Sequence, residues 1–164
     1  MIFPLRLISV FVVVAALLIG CDFRLRGNLA LPNAISSLQI QAPMYLANEL
    51  AILLDSNGVV LASDRNDADA ILVVERETFD KRTLSIDSHT GKEREHELVY
   101  MISYRVLATD GRELLPQRTV NLVRDYVFDE DAVLATSQEE SISYQEMRQD
   151  AALQILHHLA AWYP

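Results

Sequence analysis

Four basic side chains flank one turn: Lys81 and Arg82 before the pair Thr90-Gly91, Lys92 and Arg94 after it. If Thr90-Gly91 is the tip of a hairpin, the four stand on two neighbouring strands about 5 Å apart. Ammonium and guanidinium heads at that spacing can close on one multivalent anion through charge-assisted hydrogen bonds. Asp87, Glu93 and Glu95 are interleaved with them, so the segment also reads as a mixed-charge ribbon that keeps a sheet edge solvated. Arg124 lies between Leu122 and Tyr126, on what should be the inward side of a strand. An arginine there either pairs with an acid or aims at a ligand, and pairing is the commoner outcome.

Catalytic patterns are missing. No GxSxG, HExxH or phosphate-cradling Gly-rich loop occurs, and the five glycines form no such pattern. His157 and His158 are adjacent and point about 100° apart on a helix, so they cannot grip one metal together. His157 is placed at the edge of the packed face. His89 and His96 flank the predicted turn without being simple cross-strand partners; a solvated hairpin accounts for them more readily than a metal site does. Acid clusters at 129–131 and 139–140 fit helix starts, where carboxylates complement the dipole. The expectation is a protein that is not an enzyme and needs no metal or cofactor.

The only cysteine, Cys21, follows the only long apolar run, residues 7–19, which is entered by Arg6 and closes as Leu18-Ile19-Gly20-Cys21. A short apolar run with a positive start and a small residue before the cut is a secretory signal. At about 13 residues it falls short of the ~20 that a membrane-spanning helix needs. Its ending resembles the bacterial lipobox, which implies cleavage before Cys21 and a lipid on its sulfur. Residues 1–20 are thus read as a signal, 21–35 as a lipidated tether and 36–164 as a single domain. With no second cysteine, that domain has no internal disulfide and must hold by packing.

The elements that must position these residues can be read from pattern. Residues 37–41 alternate like a short strand. Pro43 opens a helix that runs to Ser56, with Leu46, Leu50, Leu53 and Leu54 on one face and Asn57-Gly58 as its stop. Residues 59–62 suit a short strand. Residues 70–86 read as strand, first continuously apolar and then alternating. Leu98, Tyr100, Ile102, Tyr104 and Val106 alternate cleanly. Asp110-Gly111 is a strong hairpin signal. Val120, Leu122, Arg124, Tyr126 and Phe128 form the return strand. Residues 79–97 should project beyond the sheet as a ribbon. Ser137 and Glu140 have capping-box spacing, and Tyr144, Met147, Ala151, Ile155, Leu159 and Trp162 then recur every three to four residues. The expected fold is α+β: a two-layer sandwich, its small, mostly antiparallel sheet backed by two helices on one face.

The formal charge of the full chain is −9; without Arg6, the one charged side chain in residues 1–20, the balance is 13 basic against 23 acidic. Such a chain is not a nucleic-acid binder as a whole. Any anion must be held by a local cluster of cations.

The order of weak motifs resembles one family. Cys21-Asp22-Phe23-Arg24-Leu25-Arg26-Gly27 follows the lipobox, a helix ends at Asn57-Gly58-Val59, and a long meander leads to Val123-Arg124-Asp125-Tyr126-Val127-Phe128-Asp129. A last helix then carries Glu146-Met147-Arg148. Together these resemble the lipopolysaccharide-assembly lipoproteins, LptE, from Cys21 to Trp162. The resemblance implies a small sheet backed by two helices. It also implies an outer-membrane lipoprotein, anchored on the periplasmic side, that plugs the LptD β-barrel, assists its folding and binds lipopolysaccharide. Lys92, Arg94 and Arg124 are the positions it implies for lipid contact, and hairpin geometry adds Lys81 and Arg82. Two positions depart from the family pattern: Asp22, which in enteric bacteria favours inner-membrane retention, and Asn121, where a lysine would be sought; there the lipid site is either weaker or uses Arg118 instead. The alternative is an accessory or binding lipoprotein of another envelope lipid transporter.

Overall fold

A computed structural model describes residues 35–127 and 133–162, with side chains of the last helix described from Ser137 onward. Cys21, Phe128 and the arm up to residue 34 lie outside the described residues. The elements are β1 (Ser37–Gln41), α1 (Met44–Ser56), β2 (Val60–Leu61), a 3-10 turn (Arg65–Asp67), β3 (Ala70–Ile86), β4 (Glu93–Ala108), β5 (Glu113–Val127) and α2 (Val133–Ala161). They make the expected α+β sandwich: one five-stranded sheet, order β2-β1-β3-β4-β5, with both helices on one face.

The antiparallel meander β3-β4-β5 follows from its turn chemistry. Gly111 (φ 91°) and Gly91 (φ 72°) adopt the left-handed backbone that the two reversals need. Asp110 accepts from the Arg112 N–H, and the Ala108 N–H donates back to the Arg112 carbonyl at 2.8 Å. Alternation does not reveal strand direction, and the front of the sheet differs from a meander. β1 runs parallel to both β2 and β3, so α1 is the crossover of a β-α-β unit. Asp69 fastens this unit, its carboxylate accepting from the Ser36 and Ser37 N–H groups at 2.9 and 2.8 Å.

Periodicity explains the core. Leu46, Leu50 and Leu54 of α1 and Met147, Ala151, Ile155 and Leu159 of α2 are buried. They meet Leu72, Leu98, Tyr100, Ile102, Tyr104, Val106, Leu115 and Val120 from the sheet. Strands of 15–17 residues far exceed the usual 5–6, so the molecule has two separate ends. At about 1.5 Å per residue, the 29-residue α2 is shorter than these strands, and its side chains reach from Lys81 and Tyr126 near the hairpin end to Tyr104.

Two expectations need correction. α2 begins at Val133, four residues before the predicted cap. Residues 133–136 contain no helix breaker, and the Glu140 carboxylate is used elsewhere: it accepts from Lys81 and Tyr126. For the same reason residues 79–97 do not project as a bare ribbon. Tyr144 of α2 packs edge-on against Phe79, with ring centroids 4.7 Å apart.

Candidate functional site

The inward side of the hairpin end is built in rows across three strands. Directly opposed residues share a face, so Thr83, His96 and Tyr126 form one row; Lys81, Leu98 and Arg124 the next; and Phe79, Tyr100 and Leu122 a third. A bulge sets these rows. The register shifts between Val74 and Arg76, which turns Glu77, Phe79 and Lys81 inward where strict alternation from Leu72 would have sent them out. Lys81 and Arg124, two strands apart in one row, are about 10 Å apart at the backbone.

Both meet carboxylates of α2. Lys81 Nζ lies 2.7 Å from Glu140 Oε2, which also accepts from the Tyr126 hydroxyl at 2.9 Å. Burial opposes the ammonium, but its hydrogen bonding to the Glu140 carboxylate and the Tyr126 hydroxyl oxygen outweighs it and holds Lys81 above the ordinary lysine range. Burial likewise opposes the Glu140 charge, and the bonds from Lys81 and Tyr126 overcome it, holding this carboxyl below its ordinary value. Arg124 spreads its fork over two acids one helical turn apart: one nitrogen donates to Glu146, the other to Asp150 at 2.8 Å. The Glu146 bond leads in holding the guanidinium charged. The sequence alternatives for Arg124 thus resolve, in this conformation, to pairing with acids.

A further pair stands deeper in the seam. Arg148 lies over the rings of Phe79 and Tyr45, 4.7 and 5.3 Å from their centroids. Its charge faces Glu77 at 3.8 Å, and Glu77 accepts from the Tyr100 hydroxyl at 2.6 Å. Burial and then this bond push the Tyr100 hydroxyl well above its ordinary range.

The remaining candidate cations lie elsewhere. Arg82 faces away from the helices, opposite Glu97, with Asp80 at 3.3 Å and Glu97 at 3.6 Å. Arg94 stands near the tip with Asp87 at 3.7 Å, and Lys92 lies in the turn, its carbonyl accepting from the Asp87 N–H. Arg94 stands four positions along the strand from Leu98, the partner of Lys81, a distance of about 13 Å. The hairpin cations therefore do not converge on one point: Arg82 is on the opposite face from Lys81, and the pair that shares a row is Lys81 and Arg124. An open cleft of about 510 Å³ at the tip is lined by Ser85, Ile86, Asp87, Ser88, His89, Arg94, Glu95 and Val127. Of the five candidates it touches Arg94 alone.

The histidines also differ from expectation. His96 is buried beneath the seam, tilted against Tyr126 at 5.4 Å. His158, not His157, sits at the packed edge, its Nδ1 2.7 Å from the Tyr104 hydroxyl, while His157 is exposed. Alternation around His96 and the apolar stripe of α2 carried these signals, but which of two adjacent histidines faces inward depends on the helix's exact phase. Among the described residues no three His, Cys, Asp or Glu side chains gather as a metal site.

The LptE (lipopolysaccharide-assembly) family model matches residues 34–159, which includes every strand and nearly all of α2. The chain belongs to the LptE family. An LPS-assembly lipoprotein LptE of Pectobacterium atrosepticum is 29% identical over 146 residues, covering 85% of this chain and 77% of that one. The solution structure of lipoprotein B from Nitrosomonas europaea is 28% identical with a TM-score of 0.71, covering 85% of this chain and 91% of that one. The rare lipoprotein B of Shewanella oneidensis is 26% identical with a TM-score of 0.66, covering 76% and 94%. The sheet with two helices is thus the fold of LptE-like lipoproteins. Membership gives the chain a role in lipopolysaccharide assembly as an envelope lipoprotein, in a family defined by assembly rather than by a reaction.

Proposed function

We propose that this chain is the lipoprotein plug and assembly partner of the LptD β-barrel, anchored to the outer membrane on its periplasmic side through lipid on Cys21. We further propose that it binds lipopolysaccharide at the hairpin end through Lys81, Arg82, Lys92, Arg94 and Arg124. It acts by occupancy and contact, without making or breaking bonds. The family match over essentially the whole described body carries the reading. The placement of these cations toward one end of the sheet supports it, because phosphates on the glucosamine head of the lipid are natural partners for ammonium and guanidinium groups. On an acidic chain, such a cluster supplies the local attraction that net charge does not.

Isolation of a tagged copy from outer membranes tests the partner. A large β-barrel should accompany it in equal amount. An inner-membrane permease as the stable companion would instead favour an accessory subunit of another lipid transporter.

A further inference from the structure

We propose that Glu146 and Asp150 act as internal stand-ins for ligand phosphate. They cap Arg124, one of the inward cations of the hairpin end, and make lipid binding an exchange of anions. This rests on the lipopolysaccharide-binding reading above and concerns how that site is regulated.

Geometry carries the inference. The two cations that share a row, Lys81 and Arg124, are both held by carboxylates of one helix. Glu146 and Asp150 stand four residues apart, so they rise from the same face of α2. They present separate oxygens to the two terminal nitrogens of Arg124. A phosphate offers the same forked arrangement of oxygens from a single group with more charge. The carboxylates can leave readily: the Glu146 and Asp150 side chains are each 53% exposed and that of Arg124 34%, and ion pairs so exposed contribute little to stability. Released, both acids return to water without leaving a buried charge behind. The Glu77–Arg148 pair is the contrast, at 11% and 23% exposed. Its arginine lies against the rings of Phe79 and Tyr45, and the pair serves as a fixed strut.

The consequence is specific. Each carboxylate competes with the lipid for Arg124, so the resting site binds more weakly than its cations alone would. Removing the competitors should strengthen lipid binding, although binding residues are usually found by losses.

The test is titration of the full chain, purified from membranes in detergent, with purified lipopolysaccharide. E146Q/D150N should bind roughly five- to tenfold more tightly, the scale of one net hydrogen bond. A control variant, D55N/D67N, removes the same number of exposed acids far from the seam and should bind like wild type. Adding R124A to E146Q/D150N should erase the increase, and so should dephosphorylated lipopolysaccharide. Melting curves of the variants should stay close to that of wild type. Equal binding by E146Q/D150N and the control would overturn the exchange while leaving wild-type lipid binding in place. Tighter binding that survives R124A, or that persists with the dephosphorylated lipid, would overturn it too. Absence of binding by wild type and every variant would instead remove the lipid-binding reading itself, and this inference with it.

Discussion

The two ends of the sheet are held to α2 by different physics. At the packed end Ile155, Leu156 and Leu159 join Leu46, Leu50, Leu54, Ile102 and Val106 in one apolar cluster. At the hairpin end Glu140, Glu146 and Asp150 meet Lys81 and Arg124 through partly exposed charge pairs. Apolar packing is non-directional, and its strength scales with area removed from water. Ion pairs at a surface are weak, salt-sensitive and open to replacement by another anion. Apolar burial therefore supplies most of the stability, and the exposed charge pairs add little to it.

The largest effect should come from the packed end. Leu50→Ala, at a position 1% exposed, should cost about 2–5 kcal/mol in urea unfolding by lost burial plus cavity. At the hairpin end Arg124→Ala should cost about 1 kcal/mol or less, because both carboxylates are half in water. Comparable losses at the two sites would break the contrast.

Acid should separate the ends as well. The His158 imidazole is held below its ordinary value of 6.5 by burial first, then by Arg118 and His157. Its neutral ring is preferred in the fold, so its contribution is present above the unfolded value and is lost as pH falls below 6.5 through the folded one. Glu140, depressed from 4.5, behaves with the same sign in a more acidic window, keeping its contribution until pH drops below about 4.5. The urea midpoint should thus begin to fall below pH 6.5, and His158→Gln should flatten that first decline while leaving the one below 4.5. A single decline confined to the acidic window would count against a strained His158.

The smallest change in stability, and a clear change in binding, is expected at the tip. Reversing Lys92 and Arg94 together to glutamate should leave the unfolding midpoint within about 0.5 kcal/mol of wild type, as for other surface substitutions. Lipopolysaccharide binding should weaken, and association with the barrel should stay nearly intact. Equal lipid binding by wild type and this variant would remove the tip from the site.

Much of this architecture was legible from residues. Leu46, Leu50 and Leu54 gave α1, the Leu98-to-Val106 alternation gave β4, and Asp110-Gly111 gave its hairpin, because burial and turn geometry impose those patterns directly. The parallel pairing of β1 was not legible, since alternation is the same for either strand direction. Nor was the face of Lys81, because a one-residue bulge near Glu75 inverts the side chains from Arg76 to Thr83. The start of α2 was hidden for a related reason: Glu140 has the spacing of a cap but binds Lys81 across the seam. For the candidate site, residue types and their gathering at one end were readable. The division into an inward pair, an outward Arg82 and a tip depended on register, which local sequence does not carry.

The measurement that bears most directly on recognition at the hairpin end is amide hydrogen exchange of the full chain with and without purified lipopolysaccharide. New protection should concentrate in residues 79–98 and 120–127 and leave α1 and β1 unchanged. Protection centred on α1 and β1, or none at all, would contradict the account.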